Sequence, residues 1–357
     1  MEDGMCAAYG LDLNINRADE NAVKAAALSW DHIMKPLGSL GELEALHIKL
    51  CGIFGKDEFS LSRRCVLMAC ADNGVVCEGV TQCGSEVTVS VATQTAKGRS
   101  NINAMADAAG AQVFAIDFGM LEKSEHPGVI DMRLGEGTGN IAKGPAMSRE
   151  TCLEALKGGM SMVKSMRFVG YDIMVTGEMG IGNTTTSAAV ASVLLGRDPA
   201  ELAGRGAGLD TEGYERKLRV IAEAIKVNSP DASDPIDVLA KLGGFDIAAM
   251  TGMFLGGMEN RVPIVIDGFI SATAALVASR IVPECTDFMI PSHLSSEKGT
   301  GYIMEALSMS PVINAGLRLG EGTGGVCLLP LLDLTLAEYK NAHRFGDTQV
   351  EQYERLT

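Results

Sequence analysis

The stretch Asp172-Ile173-Met174-Val175-Thr176-Gly177-Glu178-Met179-Gly180-Ile181-Gly182-Asn183-Thr184-Thr185-Thr186 decides the fold. Asp172 to Thr176 has the short apolar run of a buried strand. A glycine-rich loop and a hydroxyl cluster follow, and the chain then enters an Ala- and Val-rich helix from Ser187 to Leu195. Strand, glycine loop, hydroxyls and helix in this order are how main-chain N–H groups cradle an anion. No Gly-Lys-Thr/Ser follows, so this is not a nucleoside-triphosphate loop, and the glycine spacing is not GxGxxG. Spacing alone leaves two readings: a phosphate or carboxylate cradle, or an ordinary capped turn.

Working outward, the same alternation recurs. Arg64 to Ala71 reads as a buried strand ending in Asp72-Asn73-Gly74-Val75, and Ala111 to Phe118 as a second, with Asp117 near its end. Val262 to Asp267 and Asp287 to Pro291 complete five expected strands. Helices are expected between them: Val87 to Lys97, Ser148 to about Phe168, Glu212 to Val227, Pro235 to Leu242, Gly243 to about Met258, and Ser271 to Ile281. Such alternation predicts an α/β fold, a parallel sheet with helices on both faces, whose ligands sit beyond the carboxyl ends of the strands. The two chain ends read as helical: Ala22 to Leu28, Leu40 to Ile53 with Ser39 as its cap, and Val326 to Ala337. The loop Lys35 to Gly41 reads as an interhelical turn.

One heptapeptide occurs twice, Arg-Leu-Gly-Glu-Gly-Thr-Gly, as Arg133 to Gly139 and as Arg318 to Gly324. An acid between glycines on a loop can reach a bound ligand, and low polarity around it lifts its pKa toward the range useful for a base. The motif alone does not say whether Glu136 or Glu321 has that role, since either copy could be a tight turn. The Met-rich run before Met258 reads as core filler, His293 as a hydrogen-bonded structural group, and Lys217 as a solvated helix face.

Composition bounds the partners. The 357 residues carry a formal charge of −15, with 46% apolar and 21% charged residues, so a packed globular enzyme is expected, without generalised nucleic-acid or anionic-membrane binding. Nine cysteines include Cys65, Cys70, Cys77 and Cys83, but no CxxC pair and no neighbouring His. Buried reduced thiols are expected rather than a metal site, and the absence of an apolar leader in the first residues predicts a cytoplasmic protein. Val262 to Val282 is apolar but holds Asp267 and Arg280, so no membrane span is expected.

Taken together, Lys35 to Gly41, Ala71 to Val75, Gly139 to Met147, Gly177 to Thr185, Asp267 to Phe269 and Arg318 to Gly324 resemble the nicotinate-nucleotide–dimethylbenzimidazole phosphoribosyltransferase family of cobalamin synthesis. The resemblance runs from about Lys35 to Leu332. It implies a Rossmann-like catalytic domain at residues 61–329, a small helical domain from residues 1–60 and 330–357, and a homodimer. It implies no cofactor and two substrates, nicotinate mononucleotide and an aromatic lower-ligand base. The base implied is 5,6-dimethylbenzimidazole, with a phenol or purine as the alternative, in some relatives with a paralogous partner subunit. A nucleotide-binding module without turnover is a further alternative. By the same resemblance Glu321 is the general base and Glu178 a second acid that positions the nucleotide. Gly180, Ile181, Gly182, Asn183, Thr184, Lys217, Ser295, Arg318, Gly320 and Gly322 surround the nucleotide and its phosphate, and Cys83, Glu86 and Val91 form the acceptor pocket. Glu136 is structural. The chain departs from the family pattern at Asn73, often a His, and at Cys83-Gly84, often Ser or Tyr then Pro.

Overall fold

The computed structural model describes residues 9–206 and 208–354. After helices α1 (Glu20–Asp31) and α2 (Glu42–Phe54), the chain forms strand β1 (Arg64–Ala71), helices α3 (Glu86–Ala96) and α4 (Asn101–Ala108), and strands β2 (Ala111–Gly119) and β3 (Ile130–Asp131). The second half runs α5 (Arg149–Val169), β4 (Ile173–Met179), α6 (Asn183–Leu195), α7 (Pro199–Leu202), α8 (Thr211–Asn228), α9 (Pro235–Leu242) and α10 (Phe245–Asn260). It closes with β5 (Ile264–Ile266), α11 (Phe269–Ile281), β6 (Met289–Pro291), α12 (Gly299–Ala306) and α13 (Thr323–Asn341). The sheet order is β3-β2-β1-β4-β5-β6, and every pairing is parallel. This is the doubly wound order whose chain reverses its sense between β1 and β4, leaving a crevice above their carboxyl ends.

The expected α/β class and its parallel sheet are present, with one more strand than the sequence suggested. β3 is only two residues long and half exposed, too short for a periodicity to show. The expected strand from Asp287 is instead a 3₁₀ turn up to Phe288, and only Met289–Pro291 joins the sheet. Ser39 does not cap α2. Left-handed turns at Gly38 and Gly41 delay the helix to Glu42, and the Glu44 carboxylate turns back to accept from the Leu40 N–H and from Lys35 at 2.5 Å.

β1 is buried along its whole length, as a central parallel strand covered on both faces must be. On one face α10 lies almost entirely inside the protein, with Met250, Met253 and Met258 in the core as expected for filler. It packs against α5 through glycines. A Cβ on Gly252 would overlap the main-chain oxygen of Leu156, and one on Gly159 that of Ala249. The glycines of this pair are therefore contact points at which two helix backbones touch.

The two chain ends meet beside the sheet. Ile33 and Arg344 form an antiparallel bridge, flanked by Met34 N–H to His343 C=O and Phe345 N–H to His32 C=O, both 2.9 Å. Trp30, Ile33 and Tyr339 make a core cluster separate from the main one. We propose that these ends form the small helical domain, of which residues 1–8 and 355–357 lie outside the described residues. α13 links it to the sheet without a break across Pro330. Among the described residues no helix is long and apolar enough to cross a membrane.

Forcing a methyl group into the α5–α10 contact must push the helices apart. Gly252→Ala is expected to destabilise the protein by roughly 1–3 kcal/mol, read from the midpoint of denaturant unfolding.

Candidate active site

The crevice above β1 and β4 holds a cavity of about 320 Å³. Its walls come from the loop after β4, the start of α11, the segment after β6, the second heptapeptide, and residues from Val80 to Val91. The end of β4 supplies Glu178 and helix starts supply Asn183, Thr184 and Phe269 to Ser271, while much of the remaining wall is loop.

The second heptapeptide makes a left-handed turn at three successive residues, with φ of 81° at Gly320, 62° at Glu321 and 91° at Gly322. Positive φ is strained for a glutamate, and something must hold it there. Asp267, at the end of β5, does so: its two carboxylate oxygens accept from the N–H groups of Gly322 at 3.2 Å and Gly325 at 2.9 Å, capping α13. The turn is thereby pressed onto β4 at Gly177, where any Cβ would strike the Glu321 main chain.

Glu321 is buried and lines the cavity. Its Oε2 is shut off from solvent and, among the described residues, has no hydrogen-bond partner. Burial raises its pKa, the main-chain N–H of Ile102 in α4 counters this, and the charge of Asp267 adds to the rise. A buried acceptor without a donor is costly unless a ligand supplies one. Glu136, the same residue in the first heptapeptide, is 82% exposed, while Arg133 beside it pairs with Asp117 at 3.3 Å. The first copy braces the ends of β1 and β2, with Thr138 N–H donating to the Asp72 carbonyl at 3.0 Å.

Glu178, the last but one residue of β4, is also buried in the cavity wall. Burial holds its pKa well above the usual carboxylate range; the Asn183 amide counters this, and Asp246, Asp267 and Glu321 add to it. The Asn183 side-chain nitrogen lies 2.5 Å from Glu178 Oε2 and 2.9 Å from Asp246 Oδ2.

The glycine loop itself is pinned. Asn73 donates to the Ile181 carbonyl at 3.3 Å and accepts from Thr186 at 3.4 Å. Asn73 does not line the cavity, so the departure from His acts on the loop and not on an acceptor wall. The loop delivers α6, whose amino-terminal turn holds no acid. The positive end of its dipole therefore faces the cavity beside Gly180, Gly182 and Thr184. Ser295 and Glu297 stand opposite, and the exposed Arg318 lies at the rim.

Lys217 corrects the reading from spacing. It is fully buried on the inner face of α8, with Nζ 2.8 Å from Thr184 Oγ1. Burial lowers its pKa to about 8, against the charge of Glu297. It does not itself line the cavity but stands one layer behind Thr184.

On the other side, Cys83 and Val91 line the cavity together with Val87 and the exposed Leu319. Glu86 does not line it; it opens α3, and its carboxylate folds over Gly84. Nearness in sequence to Cys83 grouped it with the pocket, but the direction of the helix start takes the side chain elsewhere. Gln82 donates to the Gly208 carbonyl and Arg216 to that of Gly79 at 3.2 Å, which ties this wall to the loop over Lys217. His293 lines the cavity but is engaged by Ser292 at 3.0 Å and packed on Gly324. Burial lowers its pKa, which favours a neutral imidazole. Asp246, Asp267 and Glu297 were not assigned to the site from sequence. For Asp267 the signal was available, an acid at a strand end beside a glycine; Asp246 and Glu297 have none.

The phosphoribosyltransferase family model DBI_PRT matches residues 15–350. The chain belongs to the DBI_PRT phosphoribosyltransferase family. It is 46% identical over 343 residues to the nicotinate-nucleotide–dimethylbenzimidazole phosphoribosyltransferase of Ruminiclostridium cellulolyticum, covering 96% of this chain and 97% of that one. The protein of the same name from Acetivibrio thermocellus is 45% identical, covering 91% and 92%. The crystal structure of CobT from Thermus thermophilus superposes with a TM-score of 0.88 at 35% identity, covering 93% of this chain and all of that one. The chain is thus a pentosyl-transferring enzyme by family, with the fold of its solved relatives.

If the ammonium of Lys217 supports an anion in the cradle, that support is lost as pH rises through about 8, where the lysine deprotonates in the empty site. Inorganic phosphate affinity, followed by calorimetry, is expected to fall above that pH relative to a Lys217→Gln variant, which lacks the transition.

Proposed function

We propose that this chain transfers the 5-phosphoribosyl group of nicotinate mononucleotide to a ring nitrogen of 5,6-dimethylbenzimidazole, giving α-ribazole 5′-phosphate and nicotinate in cobalamin biosynthesis. The names of the relatives and the character of the cavity support this. One side is a main-chain anion cradle suited to a 5′-phosphate. The other is an apolar wall suited to a flat ring, with the exposed Leu319 as its free surface and Glu321 against it.

The nicotinate of the donor is a cationic pyridinium and leaves without protonation. As its bond to the anomeric carbon breaks, the electron pair returns to the leaving ring, and the ribosyl carbon gains oxocarbenium character. The unprotonated ring nitrogen of the acceptor attacks from the opposite face, inverting that centre. The other ring nitrogen carries the proton that must depart, and the carboxylate of Glu321 takes it. A pKa raised by burial makes that carboxylate a better base than a solvated one. Glu178 positions the nucleotide, and the positive charge developing on the sugar favours its ionised form against the burial that raises its pKa. Gly180, Thr184 and Ser295 hold the phosphate, Lys217 supports Thr184 from behind, Arg318 closes the rim, and Gly320 and Gly322 let the turn approach. The observation that carries the reading is the buried Glu321 in the lining of the cavity, on its positive-φ turn and with one carboxylate oxygen left without a partner among the described residues.

Cys83-Gly84, at the acceptor wall, favours a second reading of the acceptor, a phenol or purine in place of the benzimidazole, with or without a partner subunit. Supplying benzimidazole, adenine and p-cresol together and identifying the products by mass separates the two. A cytoplasmic homodimer belongs to the same proposal, with sedimentation as its check.

Glu321→Gln keeps the shape of the turn and removes the base. Nicotinate mononucleotide is expected to bind the variant as it binds the wild type, while transfer falls by roughly 10²–10⁴. Unchanged transfer would remove Glu321 from the mechanism.

A further inference from the structure

Asp246 is fully buried at the second residue of α10 and is not part of the cavity lining. It touches no cavity space, so its role in the reaction, if it has one, must pass through another group. That group is Asn183. The amide has two N–H bonds, and its nitrogen sits within hydrogen-bond distance of one carboxylate oxygen of Glu178 and one of Asp246. Both bonds are therefore committed, one to each acid. An amide so shared cannot rotate without leaving a buried carboxyl oxygen without its donor, which costs more than an ordinary solvent-exposed hydrogen bond.

The surroundings show that the arrangement is built tightly. Gly244 precedes α10 because a Cβ there would overlap the Asp246 carboxylate and approach Asn73 Oδ1. A Cβ on Gly180 would likewise approach Asp246 Oδ2. Asp246 Oδ1 makes no full hydrogen bond among the described residues, although the main-chain N–H groups of Asp246 and Ile247 at the start of α10 favour the carboxylate. A fold that needed only to fill this space would place an apolar residue there, because a buried charge is costly. The carboxylate is retained where it reaches, through one amide, the acid on the cavity wall.

We propose that Asp246 is a positioning residue for phosphoribosyl transfer, holding Glu178 against the cavity through the shared Asn183 amide. This rests on the proposed function, since Glu178 matters only if a ribosyl group reacts beside it. The groups that face Glu178 are Asp246 from α10, Asp267 from the end of β5 and Glu321 from the turn before α13, with Asn183 the donor among them; Asp72 faces Asp246 from the end of β1. All three charged neighbours of Glu178 are acids, so each disfavours its ionised form.

Two variants separate geometry from charge. Asp246→Asn is isosteric and keeps an oxygen to accept from Asn183, but removes the negative charge. Asp246→Ala removes both. In the full-length enzyme, with thermal unfolding as the check on folding, Asp246→Ala is expected to lower kcat by about 10- to 100-fold, with KM for nicotinate mononucleotide changed much less. Asp246→Asn is expected to keep most of kcat and to move the acid limb of the pH–rate profile to lower pH, because Glu178 ionises more readily beside a neutral neighbour. The Asp246→Asn limb decides alone if the alanine variant does not fold. An active wild type with an unmoved limb in Asp246→Asn, or with both variants losing only thermal stability, overturns the inference and leaves the proposed function standing. A wild type with no transfer to any acceptor defeats the function first.

Discussion

The Asp267 carboxylate, bonded to the N–H groups of Gly322 and Gly325, is the contact on which the site depends. It joins the end of a sheet strand to the start of the last long helix. Without it the turn carrying Glu321 has no reason to hold a glutamate at positive φ, a conformation that costs of order 1–3 kcal/mol. The anion at the end of β5 offsets that strain by satisfying N–H groups a helix start otherwise leaves open. The position of the acid is thereby fixed relative to the sheet. Gly177 completes the fit, since β4 can accept the turn only where it has no side chain.

The two identical heptapeptides show that environment, rather than local sequence, decides whether the same side chain is buried or exposed. Both lie over strand ends, one above β1 and β2 and one above β4, and both use glycines to come close to a backbone. Their glutamates differ because the neighbours differ. Glu136 points into solvent, while Glu321 is enclosed by the last helix, the sheet and the start of α4. No count of residues within seven positions distinguishes them.

Much of the fold was legible because buried parallel strands are nearly continuous apolar runs and their helices follow on schedule. The runs at Arg64, Ala111 and Ile173 carry their own boundaries in Asp72, Asp117 and the glycine loop. What escaped was either too short or too dependent on distant partners. β3 has two residues, and its pairing with β2 is a matter of proximity, not of pattern. Within the site, Glu321, Glu178, Gly180, Thr184 and Ser295 were brought together around one cavity. Lys217 was misread by periodicity because α8 is amphipathic, and a lysine on it looks solvated until the opposite wall is known. Its partner Thr184 lies 33 positions away in the chain. Glu86 failed in the opposite way, being next to the cavity in sequence and turned from it in space.

The distribution of charge ties these pieces to the chemistry. A chain of formal charge −15 with Glu178, Asp267 and Glu321 buried in the lining of one cavity, and Asp246 buried behind Asn183, is a poor place for an anion. It is a good place for a cation that forms briefly. On the proposed function the donor carries both, a phosphate at one end and a pyridinium at the other. The phosphate is met by the N-terminus of α6 and by Lys217 behind Thr184, a local arrangement insulated by burial from the net charge of the protein. The acids lie toward the sugar and the rings. On that proposal, burial disfavours the ionised form of Glu178 before reaction, and positive charge spreading onto the ribosyl carbon favours it, so the interaction strengthens toward the transition state and lowers the barrier to transfer. That accounts for keeping four acids buried where one base is required. It also explains why the acid with no access to the cavity, Asp246, is connected to the others by a hydrogen-bonded amide instead of being replaced by an apolar side chain.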